Sequence, residues 1–258
     1  MANAWILPPL PFLSVAGYGT TAGDPAAVAY DYAGVVWRSG GGATLLIDLG
    51  SDRALDTVAL FGVDGDPAST VAVQLATAAQ GNGFAAGAFY DSPAQPLFAG
   101  AARLASGFGV SLWSTPAAVP PVRYVRLVFS AAVRVSRVVA CQRIQLARNF
   151  GFGAGFGVKD LGSTDWSRRG VLLRQRGAKL RTCALTFSSV YRDEVERQVQ
   201  PLLELVGVTE PVGLVTDPAA DAMRERRCFF GPLSGGDIGT TWRNAQAYEW
   251  KAAMVSLF

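Results

Sequence analysis

The rings Phe84, Tyr90 and Trp113 are the residues of this chain best suited to a binding chemistry. With Phe89 they flank a long loop region, 81–115, and rings carried on loops stack on the apolar faces of sugars. The plainer reading is that the loop packs these rings onto its own sheet. Asp56 and the run Asp64-Gly65-Asp66 are the candidates for a hard cation such as Ca²⁺, which needs several oxygens from a loop beside a strand. The same run is also a turn sequence in its own right. Arg168, Arg169, Arg174, Arg176, Lys179 and Arg181 are six basic residues with no acidic residue among them. They fit contact with DNA or with an acidic partner ring, or else a solvated hairpin.

Catalysis is narrowed sharply by composition. Not one of the 258 residues is histidine, which excludes Ser-His-Asp and Cys-His nucleophiles and every zinc site built on imidazole. Ser111 and Thr115 have no base beside them. The six glutamates lie mostly on or near one predicted helix, and no facing pair for glycoside hydrolysis can be read from the sequence. The three cysteines, Cys141, Cys183 and Cys228, are odd in number, far apart and without CxxC spacing, so they read as buried reduced thiols. No enzyme activity, cofactor or metal is expected.

The elements that position these residues are mostly strands. Half of the chain is apolar, Gly (29) and Pro (14) are frequent, and charged residues make up 17%. That mixture fits many short strands joined by turns. A net charge of +3 creates no strong general attraction to nucleic acid or to a membrane surface. The N-terminal MANAWILPPLPFLSV lacks a basic start and is interrupted by prolines, so no secretory signal is expected. No apolar span is long enough for a membrane helix.

Through residue 148 the candidate strands are 35–38, 44–49, 57–63, 70–77, 110–114, 122–129 and 133–146. Val71, Val73 and Leu75 alternate with small or polar residues, as do Val125, Leu127 and Phe129, so each set faces one side of a sheet. Seven such runs separated by turn residues predict an antiparallel sandwich. Residues 149–165, NFGFGAGFGVKDLGSTD, predict a connector, since that glycine density disfavours any periodic element. Its rings Phe150, Phe152 and Phe156 predict that it is pinned to a neighbouring surface rather than free. A phosphate cradle is the sharper alternative, but the glycines do not match GxxxxGK[ST].

Residues 166–258 predict an α+β unit. Strands are expected at 171–173 and 179–187, then a helix over 191–206, then strands at 212–216, 226–230 and 246–257. Val195, Val199, Leu202, Leu203 and Val206 form one apolar stripe. Ser188 or Ser189 is placed to cap the helix, Gly207 to stop it, and Pro201 to kink or break it.

Several short strings carry a family resemblance. Trp37-Arg38-Ser39, Leu46-Ile47-Asp48-Leu49-Gly50, Val58-Ala59-Leu60-Phe61-Gly62 and Val122-Arg123-Tyr124-Val125-Arg126-Leu127 resemble, in order, the discoidin-like or galactose-binding-like jelly roll over about 110 residues. Secreted members of that family often staple the domain ends with a disulfide, for which Cys141 has no partner here. The second part resembles the sheet-and-helix unit of phage distal tail and tail-tip proteins. The matching strings are Ser189-Val190-Tyr191-Arg192-Asp193-Glu194-Val195-Glu196, Pro211-Val212-Gly213-Leu214-Val215, Phe229-Phe230-Gly231-Pro232-Leu233-Ser234 and the closing 248–258.

The resemblance implies a structural component of a phage tail tip or baseplate. Such a component assembles with tail-tip and tail-tube proteins as a threefold or sixfold homo-oligomeric ring around the tail axis. It would be made in the bacterial cytoplasm and located in the virion. The expected architecture is mostly β: a β-sandwich jelly roll over 1–148, the connector 149–165, and an α+β tail-assembly domain with one main helix over 166–258. The alternative is a carbohydrate-binding module for host-surface glycans, using Phe84, Tyr90 and Trp113. The basic run would serve assembly or electrostatic contacts.

Overall fold

The computed structural model describes residues 2–84, 90–115, 119–235, 238–244 and 246–258. Phe89, among the rings expected to flank the long loop, lies outside the described residues. The chain forms two compact units, and they are not consecutive halves. The first comprises Met1–Gln145 with Gly213–Cys228, and the second Leu146–Val212 with Phe229–Phe258. Residues 213–228, expected in the C-terminal domain, therefore pack with the first unit.

The first unit is a β-sandwich. Its strands are β1 Trp5–Leu7, β2 Ser14–Ala22, β3 Trp37–Arg53, β4 Thr57–Gly65, β5 Thr70–Ala76, β6 Tyr90–Asp91, β7 Gln95–Pro96, β8 Gly109–Ser114, β9 Val122–Phe129, β10 Val133–Val135 and β11 Arg137–Cys141. One layer runs β2-β3-β9-β5, the other β8-β4-β11, and β10 pairs with both β3 and β4. The period of two does the sorting. Leu45, Leu127 and Val73 form one cross-strand row, and Ile47, Val125 and Leu75 the next; all six are buried. Each such side chain contributes about 1.5–3 kcal/mol on burial. The intervening rows, Leu46-Arg126-Gln74 and Thr44-Val128-Ala72, lie on the opposite face and stay part-exposed.

Two expectations change in detail. The strands predicted at 35–38 and 44–49 are one strand, β3, because Gly40, Gly41 and Gly42 carry the chain through without a reversal. The run predicted over 133–146 is split at Ser136 into β10 and β11; the buried Ser136 hydroxyl bonds the Gly62 carbonyl at 3.2 Å. The β2–β3 connection holds a short 3₁₀ turn, Pro25–Ala29, and is tied down by Arg137. That guanidinium sits 3.0 Å from Asp31 and donates to the Val28 carbonyl.

The second unit carries β12 Gly155–Asp160, β13 Ser163–Trp166, β14 Leu172–Gln175 and β15 Lys179–Tyr191. A helix over 192–206 follows. After it the chain forms β16 Pro211–Val215, whose residues 213–215 belong to the first unit and pair there with β1, and then β17 Cys228–Pro232, β18 Thr240–Asn244 and β19 Ala247–Val255. Its main sheet is β12-β15-β19-β18. The expected connector is thus largely strand. Backbone pairing needs no side chain, and β15 supplies the template for Gly155–Asp160. Two of the three connector rings are anchored as expected. Phe150 meets Phe187 edge-on at 6.1 Å and Phe156 stacks on Phe229 at 6.1 Å, whereas Phe152 is fully exposed.

The helix buries Val195, Val199, Leu202 and Val206, four of the five stripe positions, and Leu203 is half-buried. Its cap is not Ser188 or Ser189, because β15 continues through both. Instead the Glu194 carboxylate accepts the Tyr191 amide at 3.2 Å. Pro201 does not break the helix. The preceding turn, Val195–Val199, widens to a π-helical turn in which the Gln200 amide reaches the Val195 carbonyl, and Pro201 falls at the start of the final α-turn, where its missing N–H costs little. Gly207 ends the helix with φ +52°, as its position predicts.

Candidate functional site

The outer face of the β2-β3-β9-β5 layer carries an open cleft of about 310 Å³. Its floor is Thr44, Leu46, Arg126 and Val128; Tyr18 on β2 and Asn82-Gly83 on the β5–β6 connection rise at its sides. Tyr18 pairs in register with Thr44, and Leu46 with Arg126, so the pleat itself brings these side chains to one face. Tyr18 is 62% exposed, an uncommon state for a ring on a paired strand.

Arg126 is held from two sides. Its Nε hydrogen-bonds the Gln74 Oε1 across β5, and its guanidinium carbon lies 4.1 Å from the centre of the Phe84 ring. Phe84 has φ +52°, the sole non-glycine residue in the left-handed region among those described. That conformation costs a side-chain-bearing residue about 1–2 kcal/mol. The buried ring beneath a cation offsets it. The approach to Phe84 is itself braced. Gln80 Oε1 accepts the Thr77 amide at 2.9 Å, and Asp52 Oδ1 accepts the Ala78 amide at 2.8 Å. Among the described residues no carboxylate pairs with Arg126.

A neighbouring pair on the same layer is fully engaged. Arg123 makes a bidentate bond to Asp48, Nε to Oδ1 at 2.8 Å and Nη2 to Oδ2 at 2.9 Å, and the Gly50 amide donates to Asp48 at 2.7 Å. The Arg123 hydrogen bonds hold the Asp48 carboxyl below its ordinary range, with partial burial opposing and the Gly50 amide assisting.

The three rings expected as an exposed sugar platform do not form one. Trp113 is buried in the sandwich core, and Tyr90 packs edge-on against it at 5.6 Å. Phe84 lies under Arg126, buried. It supports a site without presenting its own face. Tyr18 and Arg126 were not singled out from the sequence. Tyr18 stands in a glycine-rich segment with no strand signature, and Arg126 reads as one more polar member of an alternating strand.

Asp56 and Asp64 cannot share a cation: they stand at opposite ends of β4, about 26 Å apart at strand rise. Asp56 binds Thr57 and the Arg143 amide, and Asp66 accepts from Ala68 in a turn. Among the described residues no three acidic or thiol groups cluster as metal ligands. All three cysteines are buried; burial pushes the Cys183 thiol up to about 11 and the Cys141 thiol well above its usual value. Of the basic run, Arg168, Arg169, Arg174, Arg176 and Lys179 are exposed on or beside the β13–β14 hairpin. Arg181 instead lies over the Phe229 ring at 4.2 Å.

No family model and no curated protein matches the chain. Similar solved structures include the lectin domain of lectinolysin complexed with Lewis B antigen. It is 15% identical, covers 50% of this chain and 92% of its own, and has a TM-score of 0.36. A fucose-binding module of Streptococcus pneumoniae is 10% identical over 52% of this chain and 95% of its own, at a TM-score of 0.38. The CBM32 of AlyQ, in complex with 4,5-unsaturated mannuronic acid, is 15% identical over 51% and 96%, at 0.36. At these identities and scores the likeness decides neither ligand nor role.

Proposed function

We propose that the first unit is a carbohydrate-binding module whose site is the cleft between Tyr18 and Arg126. The observation that carries this reading is the pairing of an exposed tyrosine ring with a braced guanidinium that has no carboxylate partner among the described residues, across an open cleft that also holds Thr44 and Asn82. A ring supplies a stacking face, and Arg, Asn and Thr supply the directional donors and acceptors a sugar's hydroxyls need. The cleft volume, about 310 Å³, accommodates one or two sugar rings. A glycan array probed with the full chain tests the reading. Binding lost in both Tyr18→Ala and Arg126→Ala supports it, and binding that survives both variants rules this cleft out.

A second reading, a structural component of a phage tail tip, draws on a different observation. The β13–β14 hairpin is exposed at every strand residue, including Trp166 at 66%, Leu172 and Leu173. A two-stranded hairpin with uncovered apolar residues is marginal alone and marks a surface made for a neighbour. Arg168, Arg169, Arg174 and Arg176 lie on or beside it, while the helix end of the same unit exposes Leu205 and Val208 beside Glu204 and Glu210. Basic-apolar against acidic-apolar is complementary between copies, and a heterologous contact of that kind forms a ring where its rotation closes. Light scattering of the purified protein, and labelling of particles from a producing strain, test it. A monomer at all concentrations and no label at tail ends would remove it.

A further inference from the structure

The far end of the sandwich holds a second cleft, of about 300 Å³, whose charge is not balanced. Arg134 on β10 is the register partner of Arg38 on β3 and, on its other side, of Asp64 on β4. Two arginines are thus register partners across a strand pair and line the same cleft, and like charges so placed cost stability. Asp64 is a weak counter-charge: its Oδ2 is 3.8 Å from Arg134 Nη2, beyond good hydrogen-bond range, and its side chain is mostly exposed. Among the described residues Arg38 has no ion pair.

Arg134 is nevertheless fixed in place. Its guanidinium carbon lies 4.7 Å from the Phe108 ring centre, while its Nε is buried and has no hydrogen-bond partner among the described residues. The strand ends around it are pinned as well. The buried Ser39 hydroxyl accepts the Val133 amide at 3.1 Å, and the Thr21 hydroxyl donates to the Arg38 carbonyl at 3.3 Å. The fold therefore maintains, at a cost, two like charges at an open cavity.

We infer that this cleft binds an oxyanion, a carboxylate or phosphate group of a ligand, between Arg38 and Arg134. A planar or tetrahedral oxyanion accepts forked hydrogen bonds from both guanidinium groups at once and removes their repulsion. The inference is independent of the Tyr18–Arg126 cleft, which lies on a different set of strand positions.

The test is a titration of the full chain with inorganic phosphate and, separately, with an oligosaccharide of glucuronate, followed by backbone amide shifts at Arg38, Asp64 and Arg134 and by the melting temperature. Saturable binding of either ligand is expected, weakening steeply between about 20 and 300 mM salt. Which of the two binds tells phosphate from carboxylate. Arg38→Gln and Arg134→Gln should each weaken binding roughly tenfold or more. Arg38→Gln should at the same time leave the unliganded melting temperature unchanged or raised, since it relieves the opposed charges. Tyr18→Ala should bind the anion as the parent does. Failure of both ligands to saturate, or binding undiminished in both glutamine variants, would overturn the inference.

Discussion

Phe84 lies 4.1 Å beneath the guanidinium of Arg126, and it does so in a left-handed backbone conformation that only glycine adopts freely. The strain and the contact belong together: the ring is where it is because the chain turns the unfavourable way, and Arg126 is oriented by the result. Two substitutions separate these contributions. Phe84→Ala removes the ring and keeps the strain; Phe84→Gly removes both. Sugar binding should weaken by a similar factor in each, roughly three- to tenfold for a lost cation–π support. The glycine variant should be the more stable of the two by about 1 kcal/mol. Equal binding by the parent and both variants, measured by calorimetry, would show that the ring does not position Arg126.

The Asp48–Arg123 pair makes stability depend on pH in a defined direction. The Arg123 hydrogen bonds lower the carboxyl's pKa in the folded state. The pair's contribution is therefore present above the unfolded carboxylate value, about 3.9, and is lost as pH falls from there through the lower folded value. The parent should lose thermal stability below about pH 4 more steeply than Asp48→Asn does. Parallel melting curves for the two proteins across that range would refute the coupling.

The thiols should be silent in the native protein. Cys141, Cys183 and Cys228 are buried, and burial raises the first two away from the thiolate form that reacts. A disulfide reagent at neutral pH should label none of them within minutes and all three after denaturation. Rapid labelling of one thiol in the native state would place it at an accessible surface.

The exposed hairpin should be dispensable for folding and required for association. Gly162 and Gly177 meet at its base so closely that a Cβ at Gly177 would lie 2.4 Å from the Leu161 carbonyl carbon, so the hairpin has a defined neck. Replacing residues 163–175 with a short Gly-Ser turn should leave the far-UV spectrum and melting temperature of the remainder close to the parent's. Any higher-order species should disappear on light scattering. Loss of the folded state instead would mean that the hairpin is part of the core.

What the sequence made legible follows from periodicity. β9, expected at 122–129, is found at Val122–Phe129, because a strict alternation of apolar residues against a buried face leaves one register. The helix stripe was equally legible. β2 was not: SVAGYGTTA is small, glycine-rich and mostly exposed, and it is a strand because β3 offers an edge to pair with. Tyr18, half of the candidate site, was hidden with it. The strand Gly155–Asp160 was missed for the same reason. The sequence also could not place Trp113 and Tyr90, since an aromatic residue beside a loop reads alike whether it points to solvent or to the core. The opposition of Arg38 to Arg134 depends on a pairing across 96 positions of chain, which no local pattern encodes.

The most direct test of the account maps a bound oligosaccharide onto the protein. An array hit titrated into the labelled 258-residue chain, followed by amide and side-chain shifts, should perturb Tyr18, Thr44, Leu46, Asn82 and Arg126 together and saturate with one dissociation constant. Perturbations confined to other surfaces, or no saturable change with any glycan that the array retains, would contradict it.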